Sequence, residues 1–409
     1  MKKTVNHILA AGLLALLSLA SCTDEFIEGN DLQGVDRDKR VEVRLPFGVG
    51  RGITTTITTR AAGGEIDYDS QLSGVMAFVY EAKSDNPEEN ELLAYHLFSN
   101  PSNKPLEGAT GGWIADNDDP TCGEIKFYVP VGDVYIYLLG NAQSSFLNFF
   151  PGVSGGDALG TQAEFFEKAT PKWNGNIHSV DGYLPLTGMV NNNTGLCHVN
   201  EQGQISYTDE EGKTHTLLPD GKHDEDNSFV LKRLMSKITM NIREGKGVKF
   251  TARDYTVRHI PHYVSPTAQA WTEEERDRIL VEDAKPVNFG LLDSLTFTIY
   301  LPENIRKVRS GVEITEYRQR DKVVKTADNK NTEETAPDDF HADNADNHKG
   351  HYKFEFAPKA STYIELTGWF ENADKTVAAD VRYYIHLGNF GKDLNHFSVE
   401  RDHHYTYNV

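Results

Sequence analysis

The stretch VEVRLPFGV (Val41–Val49) alternates apolar residues with charged or small ones over nine positions. Successive side chains of an extended chain point to opposite faces, so this alternation places all the apolar residues on one face. The pattern predicts a β-strand with one buried face. Pro46 has no backbone donor, so we expect the strand to lie at an edge, or to pair on one side only, around this residue. The apolar residues of the strand are Val41, Val43, Leu45, Phe47 and Val49.

Strand-like runs continue to the end of the chain, for example DVYIYLLG, SKITMNI and TYIELTGWF, with turn clusters such as NPSNKP and NNNTG between them. Helical patterns are restricted to DALGTQAEFFEKA and TAQAWTEEERDRIL. Many short strands with little helix predict an all-β fold of two tandem β-sandwich domains. We place the N-terminal domain at residues 61–225 and the C-terminal domain at 226–409, because the polar run PDGKHDEDN (219–227) is the best boundary.

The composition limits the class of partner. The chain has 409 residues and a formal net charge of −20. Nucleic-acid binding depends on basic surfaces that contact phosphates, so this acidic balance argues against a nucleic-acid partner.

The first residues indicate export. A basic MKK is followed by the apolar run ILAAGLLALLSLA, which is too short to span a membrane. LASC then resembles a bacterial lipobox, which implies a lipoprotein signal peptide at residues 1–21 and acyl chains, palmitate among them, on Cys22. An ordinary signal peptide that happens to contain a cysteine is the alternative. Residues 22–60 then comprise a lipidated tether and the first strand.

No catalytic or cofactor-binding motif stands in the sequence, so we predict no enzyme, no cofactor and no metal site. His259 and His262 have no identifiable third ligand, and the acidic run at 325–350 lacks the order of a calcium loop. Cys122 and Cys197 remain after lipidation, and an exported location permits a disulfide between them without requiring one.

Several segments, in order, resemble the Bacteroidales fimbrillins, or type V pilins. They are TTRAAGGEIDYDSQLSGVMAFVYE, FYVPVGDVYIYLLGNA, FVLKRLMSKITMNI, FTIYLPENIRKV and the terminal run VRYYIHLGNFGKDLNHFSVERDHHYTYNV, in which Arg401-Asp402 replaces the usual Arg-Asn. The resemblance implies transthyretin-like sandwich domains and export to the outer membrane. It also implies cleavage by an arginine-specific surface protease between Arg60 and Ala61, loss of the first strand, and assembly by a donor strand from the next subunit.

The residues support this independently. Removing Val41–Val49 would expose the partners of five apolar positions, which at roughly 1.5–3 kcal/mol per fully buried large side chain is on the order of 10 kcal/mol. A permanent first strand followed by a glycine-rich loop is the alternative. Arg51 is a second candidate cleavage point, although cleavage there leaves GITTTITTR attached.

Fimbrillins that form the stalk continue beyond the strand that resembles RDHHYTYNV, and that tail carries the donor strand. We therefore expect a tip or accessory subunit that contributes to adhesion through an unidentified receptor, with an anchor or stalk subunit as alternatives. A different alternative is a surface glycan-binding lipoprotein, which would present exposed aromatic residues. The candidates are Trp113, Trp173, Trp271 and Trp369.

Overall fold

The structure is a computed structural model. It describes residues 36–50, 53–58, 72–102, 109, 111–116, 121–141, 160–168, 184–190, 194–218, 228–262, 264, 266, 281–288, 295–306, 308, 311–325, 340–341 and 351–409. The predicted signal peptide, Cys22, Arg60 and Ala61 lie outside the described residues.

The described elements are mostly strands. In chain order they are β1 (Asp36–Val49), β2 (Ile53–Thr58), β3 (Gly74–Glu81), β4 (Leu92–Ser99), β5 (Trp113–Ala115), β6 (Cys122–Gly140), β7 (Leu186–Gly188), β8 (Leu196–Val199), β9 (Ile205–Thr208), β10 (Thr214–Thr216), β11 (Phe229–Arg233), β12 (Met235–Asn241), β13 (Val248–Arg258), β14 (Ile260–Pro261), β15 (Val281–Glu282), β16 (Val287–Asn288), β17 (Thr296–Pro302), β18 (Val323–Lys325), β19 (Phe340–His341), β20 (His351–Phe354), β21 (Tyr363–Asn372), β22 (Ala378–His386) and β23 (His403–Asn408). Two short helices are α1 (Gln162–Lys168) and α2 (Tyr317–Arg320). The predicted all-β class is confirmed.

Strands β1 and β3–β11 form one ten-stranded sheet organised around the long strand β6, and we call this part of the molecule the first half. The first half of β6 pairs with β1 and β5, and its second half pairs with β3, β7 and β8. Gly132, whose φ is +131°, lies between the two halves of β6, in a conformation that favours glycine. Strand β11 pairs with both β1 and β7, so β1, β11, β7 and β6 form a closed ring of pairings.

The second half is formed by β2 and β12–β23. It contains two four-stranded sheets, with the orders β17-β12-β23-β2 and β16-β13-β21-β22. Tyr255 of β13 stacks on Phe297 of β17 with ring centroids 3.8 Å apart, so the two sheets pack face to face. Two smaller sheets join β14 with β15, and β18 with β20 and β19. Strand β2 belongs to this half although it comes from the N-terminal segment.

Two apolar clusters form most of the core. One lies entirely in the first half and contains the buried side chains of β1 and β11 together with those on one face of β3 and β6. The other fills the second half and also includes first-half residues such as Phe78 and Phe165. The two halves are therefore in continuous apolar contact. The predicted boundary at 219–227 lies outside the described residues.

The two predicted helices have different outcomes. Helix α1 lies within DALGTQAEFFEKA and confirms the first, whereas the second, residues 267–280, falls outside the described part of the chain. Helix α2 was not predicted, because four residues are too short to show a helical period. Within the described residues, no helix is long and apolar enough to span a membrane.

Candidate functional site

The predicted first strand occupies a groove between β6 and β11. Strand β1 runs antiparallel to β6, with Val43 opposite Phe127 and Leu45 opposite Ile125. At its end β1 also pairs in parallel with β11, where Phe47 is opposite Phe229. Because β11 pairing begins only at Phe47, the backbone at Pro46 is paired on one side, as its missing donor predicts.

The apolar side chains of β1 are embedded in the core to different depths. Val43, Leu45 and Phe47 are fully buried, whereas Val41 and Val49 are partly buried against the same cluster. The ring of Phe47 meets Trp113 edge to face, with centroids 4.9 Å apart. Pro46 and Gly48 are also buried, so the second face of β1 is covered near its C-terminal end.

Polar contacts hold the exposed face of β1. Arg44 Nη2 lies 2.6 Å from Oε2 of Glu124 on β6, and that carboxylate is almost fully buried. Near the start of the strand, Lys39 Nζ lies 2.6 Å from Glu201 Oε1 in the β8–β9 turn, and this contact lowers the pKa of Glu201. The first pair therefore connects β1 to β6, and the second connects it to the β8–β9 turn.

The β8–β9 turn also approaches the β1 backbone. Gly203 in this turn has φ +75°, and a Cβ atom added to it would lie 2.2 Å from the carbonyl oxygen of Glu42. Such a distance is far shorter than real contacts, so only glycine fits while β1 is in place. The turn therefore closes one end of the groove around the backbone of its occupant.

Strand β2 extends the N-terminal segment into the second half of the molecule. It runs parallel to β23, from Ile53 opposite His403 to Thr58 opposite Asn408, and forms the edge of its sheet. The sequence predicts a removable strand at Val41–Val49 alone. The available signal was the run ITTTIT, whose β-branched residues favour strands.

A buried ion pair marks the point where the segment passes from one half to the other. Arg233 Nη1 lies 2.8 Å from Asp402 Oδ1 and donates a second hydrogen bond of 2.9 Å to the carbonyl oxygen of Gly50. Gly50 in turn donates its N–H to the carbonyl oxygen of Leu231, 2.9 Å away. Burial raises the pKa of the Asp402 carboxyl, and the guanidinium of Arg233 opposes that rise.

The neighbouring Arg401 forms a second buried pair. Its Nη2 lies 2.8 Å from Glu303 Oε2, and both side chains are nearly withdrawn from solvent. The Arg-Asp dipeptide before β23 therefore directs one charge to each side, Arg401 towards Glu303 and Asp402 towards Arg233. The sequence identified the dipeptide but not its partners, which are 98 and 169 residues away.

The candidate metal ligands and the two cysteines are not brought together in the structure. His259 contacts the carbonyl oxygen of Ser361 at 3.2 Å from Nδ1, and no group of three metal-ligating side chains occurs among the described residues. Cys122 begins β6, whereas Cys197 lies on β8 opposite Val134 in the second half of β6, and both are free thiols, so the disulfide that the sequence permits is not formed.

Two of the four tryptophans can be placed. Trp113 packs on β1, whereas Trp369 of β21 is 41% exposed on the outer face of its sheet. Trp369 lies opposite Thr251 on one side and Asp380 on the other, and Asp380 pairs with Arg253. Trp173 and Trp271 fall outside the described residues.

Comparison with known proteins gives distant resemblances. Residues 299–409 match the family described as "Domain of unknown function (DUF4906)". No curated protein matches the chain.

Among solved structures, the tip fimbrial protein Mfa3 from Porphyromonas gingivalis, with a C-terminal truncation, is similar at 13% identity and a TM-score of 0.43, over 90% of this chain and 94% of that one. A candidate cell adhesion protein from Parabacteroides distasonis is similar at 9% identity and a TM-score of 0.41, over 86% and 84% of the two chains.

Proposed function

We propose that this chain is a subunit of a cell-surface fimbria whose N-terminal segment is an intramolecular substitute for a donor strand. Cleavage after Arg60 would release β1 and β2 together, and an extended segment of another subunit would replace them. The observation that carries the proposal is that β1 and β2 complete two different sheets and both precede Arg60. The motifs that resemble fimbrillins support the same function.

The pairing scheme is compatible with loss of the segment. Without β1, strand β11 keeps its pairing with β7, and β6 keeps β3, β5, β7 and β8. Without β2, strand β23 keeps its parallel partner β12. The remaining sheets therefore stay connected, while the groove beside β6 and the edge of β23 become open. Open strand edges bind extended segments through ladder hydrogen bonds, with side-chain pockets providing specificity.

The processing step is tested on the purified full chain with an arginine-specific protease. We expect a new N-terminus at Ala61, and loss of this product in Arg60→Ala but not in the matched variant Arg51→Ala. In cells, Arg60→Ala is expected to leave lipidated, unassembled protein in the outer membrane. Protein from sheared fibres that retains residues 36–60 would contradict the proposal.

The position in the fibre is a separate part of the proposal. We propose a tip or accessory position that contributes to adhesion, with anchor and stalk positions as alternatives. Immunogold labelling distinguishes them, because a tip subunit labels fibre ends, a stalk subunit labels the length, and an anchor labels only the cell-proximal end.

A second candidate function is glycan binding by a tethered surface protein, which the exposure of Trp369 favours. An exposed indole beside Thr251 and the Asp380–Arg253 pair provides a stacking surface with hydrogen-bonding groups at its margin. Two results together would favour this function: the first strand is retained, and the chain binds a glycan that it no longer binds in Trp369→Ala. Loss of the first strand and binding of strand peptides would favour the fimbrial one.

A further inference from the structure

The N-terminal segment passes from the first half of the molecule to the second at Gly50, and we call this point the crossing. Residues next to both strands that pair with the segment contact it there. Arg233 is the last residue of β11, which pairs with β1, and Asp402 directly precedes β23, which pairs with β2. The Arg233–Asp402 pair therefore connects the two walls of the path that the segment follows. Its guanidinium also donates to the carbonyl oxygen of Gly50, at the point between the two walls.

The crossing is also narrow. A Cβ atom at Gly50 would lie 3.0 Å from Cγ1 of Val230, and 3.6 Å from both the Asp402 carboxylate and the Leu231 carbonyl oxygen. A contact of 3.0 Å requires the valine to move. A branched side chain brings further atoms into the same space, so the occupant of this position has to be glycine or nearly as small.

Alternating apolar residues do not fix the register of a strand by themselves. A slip of one residue turns every apolar side chain to the wrong face, but a slip of two restores the alternation. Val43, Leu45 and Phe47 are buried in one row along β6, so a two-residue slip still places apolar side chains at two of the three positions, although their sizes differ. A feature that does not repeat every two residues discriminates more strongly against such a slip.

We infer that Arg233, Asp402 and Val230 form a junction clamp that sets the register of the segment in the groove and selects its sequence. This inference rests on the proposed function. The clamp accepts an extended segment of another subunit with glycine at the crossing, apolar residues three, five and seven positions before it, and strand-forming residues from the third position after it. Its carbonyl at the crossing receives the Arg233 hydrogen bond, and the segment runs parallel to β11 and β23.

The test uses the full chain cut after Arg60 and a fluorescent synthetic peptide with the sequence of residues 36–60 as the probe. We compare this probe with one carrying Gly50→Val and with a lengthened probe that has two threonines inserted between Val49 and Gly50, which keeps the alternation but shifts the crossing glycine by two residues. A Glu42→Val probe is the matched control, because Glu42 is exposed on β1. We expect both changes to weaken binding by about ten- to hundredfold, because each displaces the backbone at the crossing from the Arg233 guanidinium and so removes a charge-assisted hydrogen bond.

Two protein variants separate the parts of the clamp. Val230→Ala removes the atom that a side chain at position 50 would meet, so it is expected to restore binding of the Gly50→Val probe. Arg233→Met is expected to weaken binding of the native probe and to leave binding of the lengthened probe unchanged. If Arg233→Met fails to fold, Asp402→Asn keeps the acceptor oxygen but removes its charge, and the same pattern is expected with a smaller change.

The outcomes distinguish the two levels of the hypothesis. Equal affinity of the native, Gly50→Val and lengthened probes overturns the clamp but leaves strand acceptance intact. Failure of every probe, including the native one, to bind the cut chain overturns the proposed function and the clamp with it.

Discussion

Replacement of Phe47 by alanine tests how strongly the groove holds β1. Phe47 is fully buried, contacts Trp113 edge to face, and lies where β1 has partners on both sides. A buried phenylalanine truncated to alanine costs about 3–5 kcal/mol, because apolar contact is lost and a cavity remains. The three fully buried side chains of β1 together contribute roughly 5–9 kcal/mol. Phe47→Ala therefore removes about half of the apolar free energy that holds the strand.

The effect should be local. In the uncut chain, we expect β1 to detach more often while the rest of the sheet stays paired through β7. Hydrogen exchange of amides in the first half of β6 is expected to accelerate by about two to four orders of magnitude, which corresponds to 3–5 kcal/mol of opening free energy. Amides of β12, which has no contact with β1 in the pairing scheme, serve as the internal reference.

Glu42→Ala is the matched control, since Glu42 lies on the same strand with its side chain exposed. It is expected to change the exchange of β6 by less than about threefold, consistent with a surface substitution. Unchanged exchange of β6 in Phe47→Ala would refute the reasoning. So would equal acceleration in β6 and β12, because that result would mean that β1 is released only when the whole chain unfolds.

Three further predictions concern other parts of the molecule. Gly203→Ala places a Cβ atom against the β1 backbone, so it should speed release of the N-terminal segment from the cut chain. Gly212→Ala is the control and should not change release, because Gly212 has a similar φ of +80° but open space around it. Size-exclusion chromatography of the cut chain measures the rate of release. Arg401→Ala breaks a buried ion pair and is expected to lower the free energy of unfolding, measured by urea titration, by about 3–5 kcal/mol. Arg253→Ala breaks an exposed ion pair and is expected to lower it by less than about 1 kcal/mol. Burial lowers the pKa of His259 from 6.5 to about 4, so the folded chain binds fewer protons than the unfolded chain, and about 1–2 kcal/mol of stability should be lost between pH 7 and pH 5. The variant His259→Asn, which suits the positive φ of 58° at this position, should remove that part of the acid sensitivity in urea titrations at the two pH values.

Local patterns were sufficient to predict the strands and the first helix. The alternation of Val43, Leu45 and Phe47 indicates a strand with a buried face, and the missing donor of Pro46 indicates pairing on one side. Both depend only on neighbouring residues, which the sequence displays directly.

The partners of those strands could not be predicted. The Phe47–Phe229 pair joins residues 182 positions apart in the sequence numbering, and Thr58 pairs with Asn408 near the end of the chain. Period-2 alternation specifies which face of a strand is buried but not which strand lies beside it. Arg233 and Asp402 were each visible as charged residues at strand ends, but only the fold places them on one glycine carbonyl.

The connection between β2 and β3 has a consequence for the timing of assembly. While residues 59–71 remain intact, β1 and β2 are tethered to the sheets that they complete, and their effective concentration there is on the order of millimolar. A free segment from another molecule competes poorly with an occupant held in this way. A single cut changes the order of the reaction, because the released segment then has to return by diffusion and is diluted outside the cell. Under the proposed function, peptide-bond cleavage therefore starts assembly by changing molecularity, without altering any contact in the groove itself.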